Sequence, residues 1–138
     1  MSDPRVAVGI INYGDYRHLP GCLDSVKRQS LSADRIILLD NHSRADEIRP
    51  IGNAYPEVQI LAMQDNLGYS GGANRIVREA DGYDHVMLLN PDVVMGPRYL
   101  EELVRVMVSA PGVGSAGGKL LLGDSQLAGR SDDDIPRL

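Results

Sequence analysis

Short apolar runs alternate along the chain with segments in which apolar residues recur at helical spacing. The apolar runs are rich in Val, Ile and Leu and predict strands at residues 5–11, 35–40, 57–63 and 85–89. The helical segments predict helices from Pro20 to Arg28, over 45–54, through Ile76 and Ala80, and from Pro97 to 110. The first two runs lack alternating polar positions, which is typical of strands buried on both faces.

This alternation predicts the fold class. Strands that alternate with helices form β-α-β units, which place helices on both faces of a mainly parallel sheet. A further run at 113–122 predicts a fifth strand, and the remaining residues have little apolar content. We therefore predict an α/β, Rossmann-like domain over residues 1–122 and a polar, exposed or mobile tail over 123–138.

Composition and charge narrow the classes of function. Apolar residues make up 43% of the 138 residues, without Phe or Trp, so the core of this one domain must be aliphatic. The net charge of -5, with scattered basic residues, argues against a nucleic-acid surface and favours a cation or a cation-bridged ligand. The single cysteine, Cys22, excludes an internal disulfide and metal sites built on cysteine pairs, and it suits a reducing cytoplasm. No apolar run approaches the roughly 20 residues that span a bilayer, so we expect a soluble domain.

Polar side chains follow every predicted strand at the point where it ends. The carboxyl ends of parallel strands meet at one edge of the sheet, where loops and helix N-termini converge and ligands bind. Any one of these clusters is typical of turns and helix caps, but four of them at one edge indicate a site for a polar ligand. They are Asn12-Tyr13, Asp40 to Ser43, Asp65-Asn66 with Gly68, and Asn90-Pro91-Asp92.

Asp40 ends a strand that we expect to be buried, so its carboxylate should lie at the ligand edge. There it could accept hydrogen bonds from the N–H of a base or from sugar hydroxyls. The alternative is that Asp40 or Ser43 caps the following helix, and for Ser43 the capping role is favoured.

The segment NLGYSGGANR, residues 66–75, is rich in glycine. Gly68, Gly71 and Gly72 predict a loop that lets the backbone approach a ligand and opens a helix whose N-terminal N–H groups attract a diphosphate. The spacing matches neither a Walker sequence nor the dinucleotide-binding fingerprint. Arg75, one turn into that helix, could reach a phosphate or could be an ordinary surface arginine.

Asn90-Pro91-Asp92 is the most informative cluster. Proline removes a donor from the sheet ladder and moves Asn90 away from helical geometry, so the strand should end there in a defined bend. Asp92 would then offer hard oxygen to a divalent cation such as Mg or Mn, with ligand phosphates and water completing its shell. The alternative is that Asp92 is simply an acidic residue in a turn.

Four stretches in this order resemble the family 2 glycosyltransferases, and within them the bacterial branch that contains rhamnosyltransferases. They are VGIINYGDYRHLPGCLDSVKRQS, IILLDNHSRAD, YPEVQILAMQDNLGYSGGANR and LLNPDVVMGPRYLEEL. The resemblance covers residues 5–122 and implies a GT-A fold with a dTDP- or UDP-sugar as donor. It also implies inverting transfer of the sugar, with rhamnose as a candidate, to a glycan or lipid-linked acceptor in cell-surface polysaccharide synthesis.

The resemblance also implies roles for individual residues. Asp40 would lie near the nucleotide base, and Asn90-Pro91-Asp92 would occupy the place of the D-x-D motif, with Asp92 as the metal ligand. Asn90 stands where a carboxylate is commoner, so it could bond hydroxyl groups but could not add a second charge. The candidate substrate-binding residues are Asn12, Tyr13, Asp40, Asn66, Gly68, Gly72, Arg75 and Asn90.

Inverting transfer also needs a general base that takes the acceptor proton. In the family this base is an Asp or Glu well after the D-x-D position, and Asp132, Asp133 and Asp134 do not match its motif. We therefore expect no catalytic base in this chain, which would be the donor-binding half of an enzyme. The alternative is a non-catalytic module that binds nucleotide sugars. A phosphoacceptor receiver domain is disfavoured, because Asn12-Tyr13 stand where such domains need an acid pair.

A donor-binding half would end with an incomplete sheet at its C-terminus. Its unpaired strand edge and uncovered apolar surface predict self-association or poor solubility. The resemblance is compatible with a cytoplasmic location, including peripheral association with the inner face of the membrane.

Overall fold

The computed structural model of the protein describes residues 3–121. The strands are β1 (Val6–Tyr13), β2 (Arg35–Asn41), β3 (Gln59–Ala62) and β4 (His85–Leu89). The helices are α1 (Leu19–Lys27), α2 (Ala45–Ala54), α3 (Gly68–Glu79) and α4 (Tyr99–Ser109). The predicted alternation of strands and helices is confirmed for these eight elements, and β3 is shorter than predicted.

The strands form one parallel sheet in the order β3-β2-β1-β4. Asn12 lies opposite Asp40 in the β1-β2 pair, and Ile10 lies opposite Leu89 in the β1-β4 pair. The chain winds outward from β1 to β3 and then crosses back to the other side of β1. The winding therefore reverses between β1 and β4, and in open sheets of this kind the ligand crevice opens at that point.

Helices cover both faces of the sheet. One apolar layer contains buried residues of α1, α2 and α4, such as Leu23, Ile51 and Leu100, and it packs on the face that carries Ile10. The other layer is built from α3 and packs on the face that carries Ile11. Because adjacent residues of a strand point to opposite faces, β1 is buried on both faces, as its apolar run predicts.

Two glycines let α3 approach the sheet closely. A Cβ on Gly9 would overlap the side chain of Ile76, whose Cδ1 would lie only 2.9 Å away. A Cβ on Gly72 would lie 3.2 Å from Ile11 Cγ2 and 3.3 Å from Leu39 Cδ2. The helix and the sheet therefore meet at a separation that a larger side chain at either position would widen.

The structure corrects the predicted fifth strand. Residues 113–121 form no strand, and the backbone N–H of Gly118 donates to the hydroxyl of Tyr99 at 3.0 Å. The glycines of this segment, at 114, 117 and 118, lower its tendency to form a strand, and Leu120 is 80% exposed. Within the described residues β4 is therefore an edge strand, with Leu88 at its surface.

The second difference concerns the glycine-rich segment. Gly68, Gly71 and Gly72 belong to α3 and not to a loop, and Gly68 begins the helix with a φ of 69° that glycine adopts without strain. The predicted tail, 123–138, lies outside the described residues. Of the helices within 3–121, none has the length and apolar content to cross a membrane.

Candidate functional site

The carboxyl edge of the sheet presents different residues on its two faces. Strand alternation places Asn12 and Asp40 on the face that carries α1, α2 and α4. It places Tyr13 and Asn41 on the face that carries α3. The predicted strand-end cluster is therefore divided between two environments.

Asp40 is fully buried and is the acceptor at the centre of a hydrogen-bond network. Its Oδ1 accepts from Asn12 Nδ2 at 2.8 Å. Its Oδ2 accepts from the hydroxyls of Tyr16 at 2.8 Å and Ser43 at 2.6 Å. We call these four residues the Asp40 network. Burial, together with the hydrogen bond to Asp40, raises the pKa of Tyr16, so its hydroxyl stays protonated and donates.

The capping alternative for Asp40 and Ser43 is not what the structure shows. Helix α2 begins after Arg44, and no side chain caps its N-terminus. The backbone N–H of Arg44 donates instead to the hydroxyl of Tyr16 at 3.1 Å. Tyr16, which sequence reasoning did not single out, thus joins the ends of β1 and β2 to the start of α2.

Asn12 carries an unsatisfied atom. The residue is buried and its Nδ2 donates to Asp40, but its Oδ1 has no hydrogen-bond partner among the described residues. A buried acceptor without a donor costs about 1–3 kcal/mol. A donor supplied by a ligand or by water at this edge would remove that cost.

The start of α3 is held by asparagine side chains. Asn41 is buried; its Oδ1 accepts from the N–H of Leu67 at 3.1 Å, and its Nδ2 donates to the carbonyl of Gly68 at 3.2 Å. Asn66 Oδ1 accepts from the N–H of Gly68 at 2.9 Å. Asn66 and Gly68 therefore form the start of α3. The backbone N–H groups that follow in the first turn have no partner within the helix. Asn41 was visible in the sequence only as part of a polar cluster.

Gly72 and Arg75 lie further along α3 and have partners within the protein. Gly72 is buried against the sheet, where it permits the close approach of α3. The guanidinium of Arg75 donates to Glu79 Oε1 at 2.8 and 3.1 Å, one turn further toward the C-terminus of the helix. The predicted phosphate contact of Arg75 stays a prediction, and the structure gives its side chain another partner.

Asn90 to Val93 form a turn at the end of β4. The carbonyl of Asn90 accepts from the N–H of Val93 at 3.2 Å, with Pro91 second and Asp92 third in the turn. Proline favours the second position of a type I turn. A type II turn would need a positive φ at Asp92, but His42 is the only non-glycine residue with positive φ in the described chain. The bend that the sequence predicts is confirmed as a turn.

The side chains of this turn are available to a ligand. Asn90 and Asp92 are exposed, and neither side chain makes a hydrogen bond or ion pair with the residues the structure describes. Beneath the turn lies Cys22, whose thiol donates to the carbonyl of Asn90 at 3.6 Å. Burial and then the charge of Asp92 raise the pKa of Cys22 to about 12, so the thiol stays protonated.

Tyr13 ends β1 and is 62% exposed. Beside it lies a cavity of about 340 Å³ lined by Gly14 to Arg17, Arg44 and Glu47. The Arg17 guanidinium donates to both oxygens of Asp15 and holds the pKa of that carboxyl well below its usual range. Arg44 Nη2 donates to the carbonyl of Gly14 at 2.6 Å. Both arginines here are thus engaged by local acceptors.

Another cavity of about 340 Å³ runs beside β4. It is lined by residues 84–88, by α4 and by 114–117. Its lining includes none of the residues at the carboxyl ends of the strands, so it is separate from the strand-end site.

Two curated relatives named as glycosyltransferases match most of this chain. The uncharacterized glycosyltransferase YwdF of Bacillus subtilis is 26% identical over 108 residues, which are 77% of this chain and 39% of that protein. The N-acetylglucosaminyl-diphospho-decaprenol L-rhamnosyltransferase of Mycobacterium tuberculosis is 27% identical over 127 residues, 85% of this chain and 41% of that protein. The chain spans about two-fifths of the length of these curated relatives.

Solved glycosyltransferase structures share the fold. The mannosyltransferase PcManGT from Pyrobaculum calidifontis, in complex with GDP-Man and Mn²⁺, superposes with a TM-score of 0.69 at 21% identity, covering 82% of this chain and 34% of that one. S. aureus TarS in complex with UDP gives a TM-score of 0.65 at 14% identity, covering 82% of this chain and 38% of that one. These likenesses confirm the predicted GT-A fold.

The family model described as Glycosyl transferase family 2 matches residues 7–119. The match includes every strand and helix of the structure except the first residue of β1. It therefore rests on the sheet, the strand-end loops and all four helices together. This chain belongs to glycosyl transferase family 2.

Proposed function

We propose that this chain is the donor-binding part of a metal-dependent, inverting glycosyltransferase. The observation that carries the proposal is the exposed carboxylate of Asp92, which has no partner among the described residues and stands on a turn beside the reversal between β1 and β4. A nucleotide diphosphate sugar would bind at this edge. The residues 1–122 would form the donor-binding subdomain.

The residues present fit a divalent cation that the ligand helps to hold. No group of three or more His, Cys, Asp and Glu side chains in the described chain could hold a metal alone. Asp92 supplies one hard oxygen, so the donor phosphates and water must complete the shell, as Mg and Mn sites on nucleotides commonly do. When bound, such a cation would neutralise the diphosphate as the sugar leaves it.

Other residues of the edge would position the nucleotide sugar. The exposed ring of Tyr13 offers an apolar face on which a base can stack. The exposed amide of Asn90 can bond ribose or sugar hydroxyls. Asp40 has both oxygens occupied, so we propose that it acts by holding Asn12 and Tyr16 in place beneath the ligand.

The identity of the donor and acceptor follows from similarity more than from geometry. The mycobacterial relative is named as a rhamnosyltransferase acting on a decaprenol-linked sugar. We propose a dTDP- or UDP-sugar as donor, with rhamnose as the candidate sugar, and a glycan or lipid-linked acceptor in cell-surface polysaccharide synthesis. Transfer of the sugar would then take place in the cytoplasm, at the inner face of the membrane.

Isothermal titration with UDP and with dTDP, each with and without Mn²⁺, tests the proposal. We expect binding that Mn²⁺ strengthens and that one of the two bases favours. A folded sample that binds neither nucleotide would contradict it. Transfer of the sugar by this chain alone would exclude a module that only binds nucleotide sugars.

A further inference from the structure

Three buried polar side chains lie on one side of α1 and its C-terminal extension. They are Cys22, Ser25 and Gln29, at a spacing of three and four residues that places them on a single helical face. We call them the α1 seam. A buried polar group is costly unless it is paired, so each of these side chains requires a partner.

The first two members of the α1 seam bind the loop that carries Asp92, which connects β4 to α4 over residues 90–98. The thiol of Cys22 donates to the carbonyl of Asn90 at 3.6 Å. The hydroxyl of Ser25 accepts from the N–H of Met95 at 3.1 Å and donates to the carbonyl of Cys22 at 2.7 Å. The loop is thus attached to α1 on both sides of Asp92.

Gln29 fixes the far end of the same loop. Its Nε2 donates to the carbonyl of Gly96 at 2.7 Å and to the carbonyl of Ser25 at 3.0 Å. Its Oε1 accepts from the N–H of Leu100 at 2.9 Å, in the first turn of α4. The side chain of Arg98, the N-cap residue of α4, makes no hydrogen bond to the first turn of the helix. Gln29, just beyond the end of α1, supplies this capping hydrogen bond instead.

These contacts hold the backbone on both sides of Asp92. Its side chain makes no hydrogen bond or ion pair within the described chain, so nothing holds it directly. It lies two residues after Asn90 and three before Met95, and the α1 seam binds the backbone of both. The turn closed by Val93 and the fixed φ of proline leave little freedom between these attachments.

We infer that Ser25 and Gln29 are positioning residues for the metal-binding carboxylate of Asp92. The inference rests on the proposed role of Asp92 and goes beyond it, because it assigns the geometry of the site to α1. Groups that orient a metal ligand typically change metal affinity about 10–100-fold when they are removed.

The test measures how much Mn²⁺ strengthens the binding of UDP or dTDP, whichever binds more tightly, in a set of matched variants. Ser25→Ala and Gln29→Leu remove seam contacts, and Ser25→Thr keeps the hydroxyl. Tyr55→Phe is the control for stability, because it removes a buried hydroxyl that bonds Asp24 and Pro20 on α1 without touching the loop. Thermal unfolding of each variant is recorded in parallel.

We expect Ser25→Ala and Gln29→Leu to reduce the Mn²⁺ enhancement about tenfold while metal-free nucleotide binding is unchanged. Ser25→Thr should restore the enhancement, and Tyr55→Phe should keep it despite a lower melting temperature. If Gln29→Leu does not fold, Ser25→Ala and Ser25→Thr decide the question by themselves.

Two results overturn the inference in distinguishable ways. If Asp92→Asn removes the Mn²⁺ enhancement but Ser25→Ala leaves it intact, the α1 seam has no positioning role and the proposed function stands. If Asp92→Asn also leaves the enhancement intact, the metal role of Asp92 and the inference built on it both fail.

Discussion

Two carboxylates stand at the same edge of the sheet in opposite environments. Asp40 is buried, and both oxygens of its carboxylate accept hydrogen bonds from side chains of the protein. Asp92 is exposed, and its carboxylate has no partner among the described residues. Asp40 therefore stabilises the ends of β1 and β2, whereas the carboxylate of Asp92 is accessible, as its proposed role requires.

Replacing Asp40 with alanine should destabilise the protein strongly. The change leaves the donors of Asn12, Tyr16 and Ser43 without their acceptor, and we expect a loss of about 3 kcal/mol in the free energy of unfolding by urea. Asp65→Ala, at an exposed position of the same edge, is the control and should change it by less than about 0.5 kcal/mol. Equal effects of the two substitutions would show that the Asp40 network is not stabilising.

Cys22 should make the stability of the protein depend on alkaline pH. Its pKa is raised from its usual 9.0 to about 12 in the folded chain, chiefly by burial, so the folded state keeps a proton that the unfolded state loses. This contribution is complete below pH 9 and is lost as the pH rises toward 12, at up to about 1.4 kcal/mol per pH unit. The difference in unfolding free energy between the unaltered chain and Cys22→Ala should therefore shrink between pH 9 and 11. A constant difference would contradict the raised pKa.

At the residue scale, local rules predicted only part of the site. The bend at Asn90-Pro91-Asp92 follows from the chemistry of proline and is present. Of the donors to Asp40, only Ser43 is close in sequence. Asn12 and Tyr16 could not be predicted as partners, because the pairing of β1 with β2 brings them to Asp40 from more than 20 residues away. The partner of Arg75 was likewise not predicted. Its guanidinium donates to Glu79, and a phosphate would have to compete with that carboxylate for it.

The packing of α3 shows how tertiary contacts decide the structure of an element. Three glycines near its start resemble a loop in sequence, yet they lie in the helix. Gly72 is small because the sheet lies directly beneath it, and Asn41 supplies the contacts that begin the helix. The strands and the other helices were predictable because their periodicity is a local property. The fifth strand was wrongly predicted, because the glycines at 114, 117 and 118 oppose strand formation although the segment carries apolar residues.

The contact between Gly9 and Ile76 predicts a non-additive pair of substitutions. Gly9→Ala places a methyl group against the Ile76 side chain and should cost about 1–3 kcal/mol. In an Ile76→Ala background the methyl group has room, so the same substitution should cost less than about 0.5 kcal/mol. Urea unfolding of the four proteins in the cycle measures the coupling. Additive effects would mean that Gly9 is not needed for the approach of α3.

At the scale of the whole molecule, the strand order places β4 at an edge of the sheet. Its outer backbone has no strand partner in the described part of the chain, and Leu88 is 37% exposed at that edge. The same order places the reversal of winding between β1 and β4, next to Asp92. The predicted parallel sheet indicates which edge should bind a ligand, whereas the strand order is needed to say where along that edge the proposed crevice opens.

The unpaired edge predicts association between copies of the chain. We expect sedimentation velocity to show a mass that rises with concentration, and Leu88→Lys to weaken this because a charge would be placed on the pairing edge. Val77→Lys introduces the same charge on the exposed side of α3 and should have no such effect. A chain that stays monomeric at every concentration would contradict the prediction.

The most direct test of the central claim is the strengthening of nucleotide binding by Mn²⁺ in Asp92→Asn and Asp81→Asn. Both substitutions remove one negative charge from an exposed residue. Asp81, however, lies between α3 and the start of β4, at the amino ends of the strands and away from Asp92. We predict that the Mn²⁺ enhancement seen with the unaltered chain falls about tenfold or more in Asp92→Asn and is retained in Asp81→Asn. An enhancement of equal size in all three proteins would contradict the assignment of Asp92 as the metal ligand.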